Sequence, residues 1–215
     1  MKKTTSHLSL NGHLAEQKKH SEKVFSGELL QVFKDEVILP NASIGRREWI
    51  QHPGACAVVP VFSNGDCVLI QQFRYPAQQL FWEVPAGKID PDEDPLSTAC
   101  RELEEETGYC AEEWFYIGHF YPAIGYADEI IHIYLAQGLI QGEQNMDQDE
   151  FLRMYRVPFD EAISMIHNGE INDAKTIASI IRAHDFLNRK KSNNELVILP
   201  YKAISETNCP NREQG

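Results

Sequence analysis

Apolar positions recur along this chain in two periods, and the switches between them mark out strands and helices. From Lys23 the run VFSGELLQVFKDEVIL alternates and predicts two or more strands, which REWIQH extends. GACAVVPVF and CVLIQQFRY are apolar, strand-like runs separated by Ser63-Asn64-Gly65-Asp66. The Asn-Gly pair inside that break predicts a hairpin. Pro60 lacks a backbone N–H and predicts a sheet edge or a bulge. LFWEVPAGKID reads as a short strand entering a Pro-Gly loop. A helix follows, with Asp94 as its N-cap, Pro95 as its first residue and Gly108 as its stop. Leu96, Ala99, Cys100 and Leu103 fall at helical spacing and give it one apolar face. WFYIGHFYP, EIIHIYLAQGLI and FLRMYRVPF predict further strands, with the acidic loop GEQNMDQDE between the last two. DEAISMIHNG and NDAKTIASIIRAHDFLNR predict two closing helices.

This order predicts an α+β domain, a mixed sheet with helices on its faces. The expected divisions are a polar tail over 1–21, a strand region over 22–50, the main domain over 51–190 and a peripheral tail over 191–215. The chain has 215 residues, 42% of them hydrophobic, enough for one domain with a real core. Its 32 acidic and 20 basic residues leave a net charge of −12, which argues against a duplex nucleic-acid partner. The five cysteines form no C-x-x-C pair and their number is odd, which points to a reducing compartment. No apolar run reaches membrane-spanning length, and the start of the chain has no continuous apolar segment of the signal-peptide kind. The expectation is a soluble, cytoplasmic protein with no membrane partner.

Chemistry concentrates between Gly87 and Gly108. Glu102, Glu105 and Glu106 stand at i, i+3 and i+4, within one arc of the expected helix. Like charges at this spacing repel, and a hard divalent cation such as Mg²⁺ or Mn²⁺ relieves that. A glutamate-rich helix face is more often merely solvated. Arg101, able to hold a carboxylate in place, and the upstream Pro85-Ala86-Gly87 loop shift the balance toward a site.

The segment GKIDPDEDPLSTACRELEEETG resembles the Nudix box. Gly87, Glu93, Arg101, Glu102, Leu103, Glu105, Glu106 and Gly108 all stand in register, and only Tyr109 replaces a usual aliphatic residue. Many specified positions at fixed spacing make a strong motif. The resemblance implies a Nudix-like α/β/α sandwich with a mixed sheet, and hydrolysis of a diphosphate with Mg²⁺, Mn²⁺ being the alternative. It makes Glu102 and Glu106 the main metal ligands, Glu105 an assisting ligand or water activator, and the Ala86 carbonyl a further ligand. Arg101 and Glu93 become orienting residues.

RREWIQHPGACAVVPV, LIQQFRYP, FWEVPAGKID, YPAIGYADEIIHIYLA and GEINDAKTIASI resemble, in order, the ADP-ribose pyrophosphatase branch of that family. The likeness implies substrate contacts for Arg74, for Glu83 near the adenine, for Arg47 (with Arg46 as its rival) and for Glu129 near the terminal ribose. It puts Gly125 in the substrate loop. Within the acidic loop, Asp147 matches a general base and Asp149 an additional metal ligand, with Glu150 also a candidate. It further implies a homodimer through the N-terminal strand region, with Phe25, Phe33 or Trp49 as candidates to stack on the base. The expected reaction splits ADP-ribose into AMP and ribose 5-phosphate. The branch often has a proline where this chain has Ile124, which keeps GDP-mannose, other nucleoside diphosphate sugars and NADH as alternative substrates. A nucleotide-sugar sensor without turnover is the alternative of a different class.

Overall fold

The computed structural model describes residues 13–145 and 151–191. The chain forms two compact units. Of the described residues, the first takes 13–52 together with Ala123–Glu129, and the second takes Pro53–Pro122, 130–145 and 151–191.

The first unit is an antiparallel sheet in the order β1-β2-β3, with β1 over Gln17–Ser26, β2 over Gln31–Ile38 and β3 over Ile44–Gln51. The sheet begins earlier than the sequence pattern indicates, because residues 17–21 belong to β1 rather than to a tail. QKKHSEKVFS is exposed along its whole length, so no buried face writes an alternation into it. What holds it is the ladder to β2, which runs from Gln17↔Ile38 to Ser26↔Gln31. In the middle, Phe33 and Trp49 face each other across β2 and β3 and stack at 4.9 Å. The buried Asp35 accepts from Ser21 Oγ at 2.6 Å and from Trp49 Nε1 at 3.0 Å.

The second unit carries two sheets. One is mixed, in the order β7-β4-β9-β8, and uses Ala86–Lys88, Ala55–Pro60, Ile131–Gln141 and Tyr109–Phe120. The other is antiparallel, in the order β10-β5-β6, and uses Leu152–Pro158, Asp66–Arg74 and Gln79–Glu83. Among the described residues three α-helices complete the unit: α1 over Pro95–Thr107, α2 over Phe159–His167 and α3 over Ala174–Lys191. Strand β4 explains its unbroken apolar run. It pairs in parallel with β9 and is buried on both faces, as such strands usually are. Cys56 and Val58 pack with Ala99 and Leu103 of α1, while Ala55, Ala57 and Val59 pack with Ile180, Ala183 and Phe186 of α3. Helix, sheet and helix therefore form layers, the expected α+β sandwich.

Two local expectations resolve differently. The Asn64-Gly65 turn forms, with Phe62 N–H donating to Asp66 O at 2.8 Å and Gly65 at φ 92. The hairpin does not continue: a single bridge, Val61↔Cys67, joins its arms before they enter separate sheets. Each arm finds neighbours elsewhere, β4 in β7 and β9, β5 in β6 and β10. Pro60 is an edge only on one side. It pairs with Ala136 of β9, and its missing N–H faces the flank where the β4–β7 ladder, whose last pair is Ala57↔Ala86, has already ended. No helix among the described residues is long and apolar enough to cross a membrane.

Candidate active site

Helix α1 is built as its local sequence dictates. Asp94 accepts from Leu96 N–H at 3.0 Å and Ser97 N–H at 3.3 Å, Pro95 opens the helix, and Gly108 closes it at φ 71. Its buried face reads Thr98, Ala99, Glu102, Leu103, Glu106 and Thr107. Two glutamates thus occupy core positions, rather than merely flanking the apolar face. Burying a carboxylate costs several kcal/mol unless partners compensate, so a helix evolved only for stability has little reason to bury two.

The partners are specific. Glu106 accepts the Ala86 N–H at 2.9 Å. Glu102 lies over Gly87 so closely that a Cβ there would stand 1.7 Å from its Oε1. The glycine is required by space at this point, because its φ is not in the left-handed region. Arg101 gathers the rest. Its Nε and Nη2 grip both oxygens of Glu93 at 3.1 and 3.0 Å, and its Nη1 reaches Glu102 at 2.8 Å and Glu105 at 2.9 Å. Nη2 also donates to the Lys88 carbonyl at 3.2 Å, tying the helix to the loop before it. The Arg101 hydrogen bonds are the main reason Glu93 stays below the usual carboxylate range, and Glu93 in turn is the main reason the guanidinium is raised.

The donors are hard oxygens on successive helical turns, the chemistry that Mg²⁺ takes. Among the described residues no three His, Cys, Asp or Glu side chains converge as a closed cage. Mg²⁺ does not require one, since it commonly uses one or two carboxylates and completes its shell with water and substrate phosphate.

A second charged cluster lies at the end of β6. Arg74 donates from Nε and Nη2 to the two oxygens of Glu83, each at 2.7 Å. Lys175 Nζ adds a contact to Glu83 Oε2 at 3.0 Å. Burial pushes the Glu83 carboxyl up, but Arg74 and Lys175 outweigh it and hold it below its ordinary value of 4.5. Arg74 is raised, first by its bond to Glu83, and it also feels the charge of Glu106. Both Glu83 oxygens are therefore engaged by cations. The pair is also no loose surface bridge, since the Glu83 side chain is only 3% exposed.

The remaining expected positions fall in the first unit or outside the described residues. Arg47 on β3 forks onto Glu16. Glu129 stands 3.8 Å from His52 Nδ1, and Gly125 has open space where a Cβ would be. Phe33 and Trp49 are stacked on each other, and Phe25 remains exposed. Asp147, Asp149 and Glu150 lie outside the described residues, as does Cys209. Lys175, Asp173 and Thr176 received no role from the sequence. The helix start N-D-A-K-T is legible as a cap, but the Lys175 partner is separated by 92 positions, and no local pattern announces such a contact.

A family model of the NUDIX domain matches residues 51–180. The ADP-ribose pyrophosphatase of Bacillus subtilis (strain 168) is 40% identical over 161 residues, 74% of this chain and 87% of its own. The methanol dehydrogenase activator of Bacillus methanolicus is 41% identical over 172 residues, 79% of this chain and 93% of its own. A crystal structure of an ADP compounds hydrolase superposes with a TM-score of 0.72, covering 84% of this chain and 97% of that one. At 21% identity this is a likeness of fold. Gly87 yielding its space to Glu102, Arg101 ordering three glutamates, and a domain match across the same stretch all have one explanation: the chain belongs to the Nudix family and is a hydrolase of diphosphate bonds.

Proposed function

We propose that this chain hydrolyses the diphosphate of ADP-ribose, giving AMP and ribose 5-phosphate, with Mg²⁺ as the working ion. The observation that carries the reading is the complete box in its folded form, with Glu102 and Glu106 buried on one helix face, Arg101 ordering Glu102 and the Ala86 N–H holding Glu106. The ADP-ribose pyrophosphatase relative at 40% identity supports the substrate class.

Glu102, Glu106 and the Ala86 carbonyl are the proposed metal donors. A bound divalent ion neutralises phosphate oxygens, lowers the pKa of a bound water and aligns an in-line displacement. Arg101 fixes Glu102 and Glu105 through hydrogen bonds, so neither carboxylate has to be ordered when substrate arrives. Glu105, the more exposed of the two toward solvent, is placed to assist in orienting the attacking water. Asp147 and Asp149 keep their proposed roles as base and additional ligand. Arg74 offers its charge to the substrate anion, with Glu83 behind it. Arg47, Glu83, Gly125 and Glu129 keep their proposed roles as substrate contacts.

The proposal includes a homodimer formed through the N-terminal sheet. Strand β1 is exposed along its whole length, and Val24, Phe25, Leu30 and Ile44 of the same unit leave apolar surface uncovered. It also includes a cytoplasmic setting, with Cys56 and Cys67 as free thiols.

The test is AMP release from ADP-ribose with Mg²⁺, run beside GDP-mannose and NADH and repeated with EDTA. EDTA-sensitive cleavage that favours ADP-ribose supports the proposal. Preference for another diphosphate keeps the chemistry and moves the substrate. No turnover of any of the three removes the catalytic reading and brings the sensor forward.

A further inference from the structure

Lys175 lies in the first turn of α3, and its partners include Glu83 of β6 and Val84 after that strand. Its Nζ donates to Glu83 Oε2 at 3.0 Å and to the Val84 carbonyl at 3.4 Å, and stands 3.2 Å from Asp173 Oδ2. The neighbouring Thr176 accepts the Val84 N–H on its Oγ1 at 3.0 Å and donates its hydroxyl to Asp173 at 2.7 Å. Both polar groups of the Val84 backbone and one oxygen of Glu83 therefore end on the start of α3.

A largely buried ammonium is a poor device for stability alone, because its desolvation offsets much of what its ion pairs return. What the arrangement supplies is direction. Glu83 grips Arg74 by Nε and Nη2, and among the described residues Nη1 makes no hydrogen bond. The Arg74 side chain is 44% exposed, so the guanidinium is held along one edge and presented along the other. A glutamate carboxylate turns freely about its last torsion unless something fixes it. Lys175, 14% exposed beside a Glu83 that is 3% exposed, is that fixture.

We propose that Lys175 is a positioning residue for substrate binding: it locks the Glu83 carboxylate so that the Glu83 fork aims Arg74 at the substrate anion. The closing helix is thereby wired to the binding arginine. This rests on the reading of Arg74 as a substrate contact.

The test is steady-state hydrolysis of ADP-ribose with Mg²⁺ by the full chain and by Lys175→Met, Lys175→Arg, Arg74→Ala and the Arg74→Ala/Lys175→Met double variant. Thermal midpoints are read alongside. Lys175→Met should raise KM about tenfold, equivalent to about 1.4 kcal/mol, and leave kcat within about twofold. Lys175→Arg, which restores the cation, should recover most of the loss. The double variant should show the KM of Arg74→Ala alone, because residues acting through one contact do not add. A purely structural lysine moves the thermal midpoint but produces neither the KM-only effect nor the coupling. Unchanged KM in Lys175→Met, or KM effects that multiply in the double variant, overturns the inference. Should Lys175→Met not fold, Lys175→Gln keeps a donor to Glu83 without the charge, and the same cycle is read with it. Wild-type protein that leaves ADP-ribose intact removes the functional reading and this inference with it. The outcomes specific to Lys175 arise only with active wild-type protein.

Discussion

Glu106 combines burial, a backbone partner and a charged neighbour one turn away, which makes it a sharp probe of the site. Glu106→Gln keeps an acceptor for the Ala86 N–H and removes the charge. Turnover should fall by roughly 100-fold or more, beyond what loss of a group merely supporting a metal ligand usually costs. The thermal midpoint should hold or rise, since a buried charge is relieved. Near-wild-type turnover would remove Glu106 from the metal set. Gly87→Ala tests the same site through space. A Cβ 1.7 Å from Glu102 Oε1 forces that carboxylate to move, and activity should drop by roughly 10- to 100-fold while circular dichroism shows the fold intact. A fully active variant would mean Glu102 has room to spare. Glu83 titrates below its ordinary 4.5 in the folded chain despite burial, owing to Arg74 and Lys175. A depressed carboxyl stabilises the fold fully above its unfolded value, and that contribution is lost as pH falls through the folded value. Glu83→Gln should therefore flatten the loss of thermal stability below pH 4.5. An unchanged acid limb would show that other carboxylates carry it.

At the scale of the element, α1 was legible almost to the residue because its signals are local. An Asp cap, a proline opening and a glycine stop each act within a turn of their own position. Asp94→Ala should cost about 1 kcal/mol, or about 2–4 °C of thermal midpoint for a chain of this size, with most activity retained. No measurable shift would mean that packing against β4 and β9 alone holds the helix start. Strand β1 and the Asn64-Gly65 hairpin show where local signals end. The first has no buried face to write a pattern, and the second forms its turn while its arms pair with distant strands. Strand β7 is short for the same reason. It exists because Ala55–Ala57 lie opposite it, not because AGK favours a strand.

For the whole molecule, the exposed N-terminal sheet makes oligomeric state the first question. Sedimentation should give twice the 24.5 kDa of the chain, and polar substitution of Val24 and Phe25 should shift the population toward monomer. A monomer at all concentrations would leave that apolar surface for another purpose.

The sequence by itself determined the family, the helix of the box and the identity of the clustered glutamates. All of these are encoded within short stretches, where spacing along the chain equals placement on one element. Only the tertiary structure decided that Glu102 and Glu106 face inward, that Gly87 is small because Glu102 fills the space, and that Glu83 answers to Arg74 and Lys175. The last depends on bringing the start of α3 against the end of β6. Contacts between residues separated by 92 positions are set by how sheets and helices pack, and no periodicity in a single chain carries that information.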